Sequence, residues 1–356
     1  MLVKRTTHKY RLSYNGTEMS IKKLDWKSVL KADPTDWLLG EDNPSVRYFT
    51  LVDLLGKSQN NREVVTARKS IMTNGPVPAI LEKQEAGGYW GIPQDFYVRS
   101  KYKGTVWNII TLAELGADNS DERIHRAGEF ILNNAQDRQN GGFVHSSGKE
   151  GVGDHSKVLP CLTGNMVFSL IRFGFLEDSR VQQAVDWIVK YQRFDDGEGV
   201  APKGWLYRYE QCWGKHTCMM GVVKTLKALA EIPLEKRSGA VSKTIERGTE
   251  YLLKHHLYKQ SHNPALVAND DWIHFGFPLW NTDALEMLSI LTRLGYHDTR
   301  MQDAVELVSS KQDEQGRWLL ETTFNGRTLV RIERKGKPSK WVTLNVLRAL
   351  KNWYNR

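Results

Sequence analysis

Several features that would mark a specialised class of protein are missing from this sequence. Its 356 residues include only three cysteines, an odd number that is too small for a disulfide framework. No apolar run approaches the roughly 18 residues of a membrane-spanning helix. The N-terminus also lacks the apolar region of a signal peptide. We therefore expect a cytoplasmic protein with no transmembrane segment and with reduced cysteines.

Charge of one sign is not concentrated anywhere either. Lysine and arginine number 50 against 41 acidic residues, a net charge of +9, but the basic residues are scattered along the chain. No recognisable nucleic-acid-binding motif accompanies them, so we expect no nucleic-acid partner. With 40% hydrophobic and 26% charged residues, the chain can fold around a large core and is not disordered.

What the sequence does have is an internal repeat. Six apolar helical segments each end at a similar residue pair, called a helix stop below. The pairs are Leu55-Gly56, Leu115-Gly116, Phe173-Gly174, Leu229-Ala230, Leu294-Gly295 and Leu350-Lys351. A second, amphipathic segment and a glycine-rich turn follow most of these stops. Intervals of 56 to 65 residues between stops are typical of a helix-hairpin repeat.

The turns carry a motif that identifies a resemblance. Gln84 to Trp90 and Gln312 to Trp318 both have the pattern Gln-x-x-x-Gly-x-Trp, and Gly141-Gly142-Phe143 is a variant of it. The pattern resembles the QW repeat of squalene–hopene and oxidosqualene cyclases, and the variant resembles the repeats of protein prenyltransferase β subunits. The resemblance covers about residues 44–356. It implies an all-α fold, an (α/α)6 toroid in which six outer helices surround six inner helices and a central cavity.

Two segments fall outside the repeat and predict small β-hairpin decorations. Tyr14-Asn15-Gly16-Thr17 and Phe324-Asn325-Gly326-Arg327 each place Asn-Gly between β-favouring stretches, which is a strong hairpin signal. We therefore divide the chain into an N-terminal extension, residues 1–43, that packs on the ring, and a single toroid domain, residues 44–356.

All three cysteines fall near the starts of neighbouring inner helices. Together with a nearby histidine they form a candidate zinc set, Cys161, Cys212, His216 and Cys218, because zinc prefers thiolate and imidazole ligands. The segment His216-Thr217-Cys218 also resembles the His-Thr-Cys segment around the zinc-binding histidine of prenyltransferase β subunits. The alternative is that the cysteines are small buried hydrophobic residues.

Asp283 begins the fifth inner helix, in the segment Trp280-Asn281-Thr282-Asp283-Ala284. This arrangement resembles that of class II terpenoid cyclases, which hold an acidic cluster at an inner-helix start and use one aspartate as the catalytic acid. That resemblance makes Asp283 the candidate catalytic residue. The alternative is that Asp283 caps the helix or pairs with a nearby cation.

Aromatic residues are frequent at the predicted inner-helix starts. Five of them are candidate substrate-binding residues, because aromatic faces form an apolar wall and attract cations: Trp107, Trp213, Phe275, Trp280 and Trp341. The alternative is that they belong to the packed scaffold. A basic run from Arg327 to Lys340 could hold a diphosphate, or could simply be a solvated face.

The sequence thus favours, without deciding it, an isoprenoid-binding enzyme of the terpenoid cyclase/prenyltransferase superfamily. Its apolar substrate, for example an isoprenoid diphosphate, would lie in an aromatic-lined cavity. The reaction there would be zinc-assisted prenyl or thiol chemistry. Protein prenyltransferases act with a helical partner subunit, and the sequence does not decide whether this chain has one. The alternatives are a non-catalytic ligand-binding or scaffold toroid, and a terpenoid cyclase that uses Asp283 as its acid.

Overall fold

The computed structural model describes residues 25–97, 100–146, 157–197, 212, 214 and 216–355. In this part of the chain almost all regular structure is helical, with only short strands between the helices. The hairpin predicted at Tyr14 to Thr17 lies outside the described residues.

Six of the described helices form the inner ring. They are α2 (Pro44–Phe49, continued by a π-helical turn at Thr50–Leu54), α5 (Thr105–Leu115), α7 (Pro160–Arg172), α9 (Met219–Glu231), α11 (Ala284–Arg293) and α13 (Lys340–Tyr354). Most of their residues are buried, and every residue of α5 is. Helices of this kind must be covered on nearly all sides, which explains why they occupy the middle of the molecule.

Five further helices cover the inner ring from outside. These are α3 (Arg62–Thr73), α6 (Glu122–Asn134), α8 (Ser179–Tyr191), α10 (Gly239–Lys254) and α12 (Gln302–Ser310), while the short α4 (Pro76–Leu81) follows α3. Each outer helix packs on the inner helix that precedes it in the chain, and charged residues occupy its solvent side. The all-α toroid predicted from the repeats is therefore confirmed.

The ring closes because neighbouring inner helices pack in chain order and the last one, α13, returns to the first, α2. Between α2 and α5 the ring of Phe49 lies against Gly116. The tightest approach is between α7 and α9. A Cβ atom added to Gly164 would lie 2.5 Å from the backbone carbon of Lys224, so only glycine allows these two helices to come so close.

The sixth outer position is occupied by the segment before the first repeat. A 3-10 turn (Trp26–Val29) and the short helix α1 (Thr35–Leu38) pack against α13. The Lys31 amide donates to Gln312 Oε1 at 2.9 Å, which ties the last repeat to this segment. The described part of residues 1–43 therefore lies on the ring.

The repeated tryptophan makes the same contact in two repeats, and Gln84 and Gln136 each donate to a carbonyl of the next outer helix. Gln84 donates to the Arg123 carbonyl at 2.8 Å, which links one repeat to the outer helix of the next. The indole of Trp90 donates to the Ile80 carbonyl at 2.9 Å, and that of Trp318 donates to the Val308 carbonyl at 2.7 Å. The motif therefore joins neighbouring hairpins, which is a structural role.

Within the described ranges, two antiparallel strand pairs decorate the ring. Strands β1 (Lys259–Gln260) and β2 (Asn263–Val267) form a hairpin that the sequence did not predict. Strand β3 (Trp318–Leu319) pairs with β4 (Pro338–Ser339), so Trp318 pairs with Ser339 across a long loop.

The hairpin predicted around Asn325-Gly326 is wrong. Asn325 uses its side chain to accept from the Ile332 amide and to donate to the Glu333 carbonyl, which folds the loop on itself. The amides of Glu321 and Thr322 donate to the Phe275 carbonyl and so are not available for a ladder along this segment.

Among the described helices, none combines the length and the hydrophobicity that crossing a membrane would require.

Candidate active site in the ring

Two of the cavities formed by the described residues share part of their lining. The larger, of about 400 Å³, lies among the inner helices and is called the central chamber below. The smaller, of about 200 Å³, lies under the loops around Phe277 and Phe324. Gly276, Asn281 and Asp283 line both, so Asp283 stands where the two cavities meet.

The central chamber is far more polar than the apolar, aromatic-lined cavity expected from the sequence. Ten of its 21 lining residues are charged: Asp53, Glu114, Arg172, Lys227, Glu231, Asp283, Glu286, Arg293, Arg348 and Lys351. Its apolar residues include Phe49, Phe168, Leu285 and Ile290. Three of these charged residues, Glu114, Lys227 and Glu286, are buried, and they are stable there because they pair with one another.

One half of this pairing joins helices α5, α9 and α11. Lys224 is fully buried and donates to both carboxylate oxygens of Glu286, at 2.9 and 2.7 Å. Lys227 bridges Glu286, at 2.7 Å, and Glu114. Burial acts to raise the pKa of Glu286, but the two lysines outweigh it and lower the pKa to about 2. Glu286 is therefore ionised at neutral pH.

The other half is a guanidinium cluster, defined as Arg172, Arg293 and Arg348. Glu231 is shared by Arg293, which donates to both of its oxygens, and by Arg172 at 3.5 Å. Arg348 donates to Asp53 at 2.5 Å. The guanidinium carbons of Arg172 and Arg348 lie 5.8 and 4.6 Å from the centre of the Phe49 ring. Three like charges therefore meet in one chamber with two carboxylate partners.

Asp283 caps helix α11, as one of the sequence alternatives proposed. Its carboxylate accepts from the amide of Glu286 at 2.8 Å and from that of Gly276 at 3.3 Å. Burial nevertheless raises its pKa from 3.8 to about 7, and the nearby charge of Glu286 acts in the same direction. A carboxyl group with this pKa can both donate and accept a proton near neutral pH.

The three cysteines come together at the starts of helices α7 and α9. Cys161 is the second residue of α7, and Cys218 is the N-cap of α9. The Cys212 thiol is hydrogen-bonded to Cys218. This bond, with the amides of Gly221 and Met220, lowers the pKa of Cys218, whereas burial raises that of Cys161 to about 12.

The fourth candidate zinc ligand has a different environment from the cysteines. His216 is exposed, and its imidazole lies against Gly197. Among the described residues, no group of three or more His, Cys, Asp or Glu side chains is arranged to hold a metal ion. The described side chains thus do not fit the proposed four-ligand set, and zinc binding stays a prediction from the sequence.

The four candidate substrate-binding aromatics that lie among the described residues are packed. Trp107 and Trp280 come together, with ring centres 5.3 Å apart, and both stack on Tyr97. Trp341 is 1% exposed and meets the edge of Phe49, which does line the chamber. Phe275 is also 1% exposed, and Trp213 lies outside the described residues. A role for these residues in binding substrate stays a prediction.

Apart from Asp283, the sequence analysis missed the charged residues of the chamber, although a signal for them exists. Lys224, Lys227 and Glu231 occur at positions i, i+3 and i+7 of an otherwise apolar helix, which places them on one face. Asp283, Glu286 and Arg293 follow a similar spacing along α11. Charges at helical spacing within a buried helix indicate a polar interior.

The basic run from Arg327 to Lys340 does not form one cluster. Lys340 is buried and paired with Asp42, over the ring of Trp37. Lys335 lines the smaller cavity. Arg327 lies 5.5 Å from the ring centre of Tyr102. These three side chains therefore lie in separate surroundings, and diphosphate binding by the run stays a prediction.

Comparison with known proteins gives no family. No family model and no curated protein matches the sequence. Among solved structures, a sugar epimerase from a ruminal bacterium is 13% identical, with 70% of this chain and 72% of that chain covered and a TM-score of 0.43. A possible member of the GH105 family from Salmonella enterica serovar Paratyphi A is 12% identical over 99% of both chains, with a TM-score of 0.47.

A variant of the type II terpene cyclase MstE from Scytonema, in complex with merosterolic acid A, is also similar. It is 14% identical, with 81% of this chain and 96% of that chain covered and a TM-score of 0.31. Likenesses at these identities and TM-scores carry no argument about activity. The description of the ring therefore rests on the helices of this chain itself.

Proposed function

We propose that this protein is an enzyme that binds a polar small molecule in the central chamber and uses Asp283 to transfer a proton to or from it. The observation that carries this proposal is the position of Asp283. It lies where two cavities meet, and its pKa is about 7. Titratable groups with such perturbed values inside cavities are characteristic of acid–base catalysts.

The surroundings of Asp283 support a moderate rather than a strong acid. Protonating an alkene requires an unusually acidic group, whereas burial makes Asp283 a weaker acid than an ordinary aspartate. The phenyl faces in the chamber are also occupied. Lys227 lies 4.5 Å from the centre of Phe168, and Arg348 lies over Phe49. A substrate carbocation would be repelled there, which favours proton transfer on a polar molecule over terpenoid cyclisation.

The test compares turnover by the wild type and by Asp283→Asn. Each protein is incubated with a small-molecule extract, and the composition is followed by mass spectrometry. We expect the wild type to convert at least one component that the variant binds without converting. Asp121→Asn, which changes an N-cap aspartate on an outer helix, is the matched control and should convert as the wild type does. Equal conversion by Asp283→Asn would exclude the proposed role.

An isoprenoid ligand is the second candidate. Phe49, Phe168, Leu285 and Ile290 line part of the central chamber and could contact an apolar chain beside the guanidinium cluster. Such a ligand would need an anionic head group, as an isoprenoid diphosphate has. Calorimetry with farnesyl diphosphate and with inorganic pyrophosphate separates the candidates. Tighter binding of the prenylated compound would favour the isoprenoid, and equal binding would favour a small polar ligand.

A further inference from the structure

We propose that the guanidinium cluster, Arg172, Arg293 and Arg348, is the binding site for a dianionic phosphate group of the ligand. This inference rests on the proposed function, because it names the ligand class for the same chamber. It concerns binding only, and its test is separate from the test of Asp283.

The first argument is a surplus of positive charge. The chamber and the lysine behind it contain six cations: Arg172, Lys224, Lys227, Arg293, Arg348 and Lys351. Besides Asp283, four carboxylates compensate them: Asp53, Glu114, Glu231 and Glu286. Two positive charges are left when Asp283 is protonated, and one is left when it is ionised. A dianion would neutralise the surplus present while Asp283 holds its proton.

The second argument is that the cluster and the neighbouring Ser289 have donors that the described residues do not use. Arg348 Nε and Ser289 Oγ are buried, and among the described residues neither has a hydrogen-bond partner. Both residues line the central chamber. A buried donor without an acceptor is costly, and a bound oxyanion would supply the acceptor.

The third argument is the crowding of like charges. Burial lowers the pKa of Arg348, and the guanidiniums of Arg172 and Arg293 act in the same direction. An anion placed among the three groups relieves this repulsion. Guanidinium groups also match the geometry of phosphate oxygens, since they donate two parallel hydrogen bonds. Phosphate, with more acceptor oxygens than a carboxylate, is the better match to three guanidiniums.

The test is isothermal titration calorimetry of the full chain at pH 7 and constant ionic strength. The probes are inorganic pyrophosphate, inorganic phosphate and malonate, a dicarboxylate. We expect the phosphate probes to bind at least about tenfold more tightly than malonate. Arg348→Gln should weaken them by about tenfold or more, the loss expected for a charge-assisted hydrogen bond. Arg300→Gln, which removes a paired arginine from the outer surface, is the matched control.

Equal affinity in Arg348→Gln and Arg300→Gln would overturn the proposal, as would malonate binding as tightly as pyrophosphate. If Arg348→Gln does not fold, Ser289→Asp adds a negative charge to the chamber and should weaken binding to a similar extent; unchanged binding would overturn the site. Asp283→Asn should keep its affinity for pyrophosphate. Loss of conversion with retained binding supports both proposals, whereas retained conversion removes only the role of Asp283.

Discussion

The raised pKa of Asp283 predicts an unusual dependence of stability on pH. Its folded value of about 7 exceeds the ordinary value of 3.8, so the folded protein holds a proton that the unfolded chain releases. The stability contributed by the protonated group is fully present below about pH 4 and is lost as the pH rises through about 7. The shift corresponds to a loss on the order of 4 kcal/mol.

Asp283→Asn isolates this effect. Asparagine caps helices as well as aspartate does, so the bond to the Glu286 amide can be retained. The bond from the Gly276 amide is lost, which costs about 1 kcal/mol at every pH. Relative to the wild type, the variant should therefore gain stability from pH 4 to pH 8. It should be more stable than the wild type by roughly 3 kcal/mol at pH 8.

Urea denaturation of both proteins between about pH 3 and pH 9 measures this difference, because all other titrating groups are shared. Asp121→Asn is the control, because the Asp121 carboxyl changes the free energy of unfolding with pH in the opposite direction. Arg123 donates hydrogen bonds to Asp121 and lowers its pKa, so the Asp121 contribution is present above about pH 4 and is lost on acidification. Parallel curves for the wild type and Asp283→Asn would refute the raised pKa.

Three further predictions follow from the packing and charges of the ring. Gly164→Ala should destabilise the protein by about 1–3 kcal/mol in urea denaturation, because its Cβ would meet the backbone of Lys224. Glu286→Gln should cost about 3–5 kcal/mol in the same assay, because it leaves the buried Lys224 without its carboxylate. Iodoacetamide at pH 7 should alkylate Cys218 well before Cys161, as shown by peptide mass spectrometry, since only the pKa of Cys218 is lowered.

Matched changes elsewhere in the chain control these predictions. Gly239→Ala, at an outer-helix start with open space around the glycine, should be close to neutral. Glu250→Gln removes an exposed partner of Arg300 and should cost less than about 1 kcal/mol. Equal losses of stability in Gly164→Ala and Gly239→Ala would contradict the packing argument. Equal losses in Glu286→Gln and Glu250→Gln would contradict the charge argument. Equal alkylation of Cys161 and Cys218 would contradict the lowered pKa of Cys218.

The toroid could be predicted because its repeats carry local signals. The helix stops and the Gln-x-x-x-Gly-x-Trp motif recur at regular spacing, and each tryptophan makes the same contact within its own repeat. Such signals need no knowledge of distant residues. The hairpin predicted around Asn325-Gly326 was wrong because it relied on local signals alone. Asn325-Gly326 does form a turn, but the strand that pairs with β3 lies about twenty residues away, and local sequence does not specify that pairing.

The chamber was harder to predict because its contacts are distant in sequence. Glu114 and Lys227 come from different repeats, and neither segment alone shows that they pair across the axis. The position of Asp283 at a helix start could be predicted from the repeat spacing. Its raised pKa could not, since burial depends on the loops that cover the smaller cavity.

The most direct test of the central claim is a crystal structure of Asp283→Asn with the ligand captured from a small-molecule extract. The account predicts ligand density in the central chamber, with an anionic group among Arg172, Arg293 and Arg348 and the reacting atoms within hydrogen-bond distance of residue 283. A ligand bound outside the ring, with the chamber filled by solvent at saturating concentration, would contradict it.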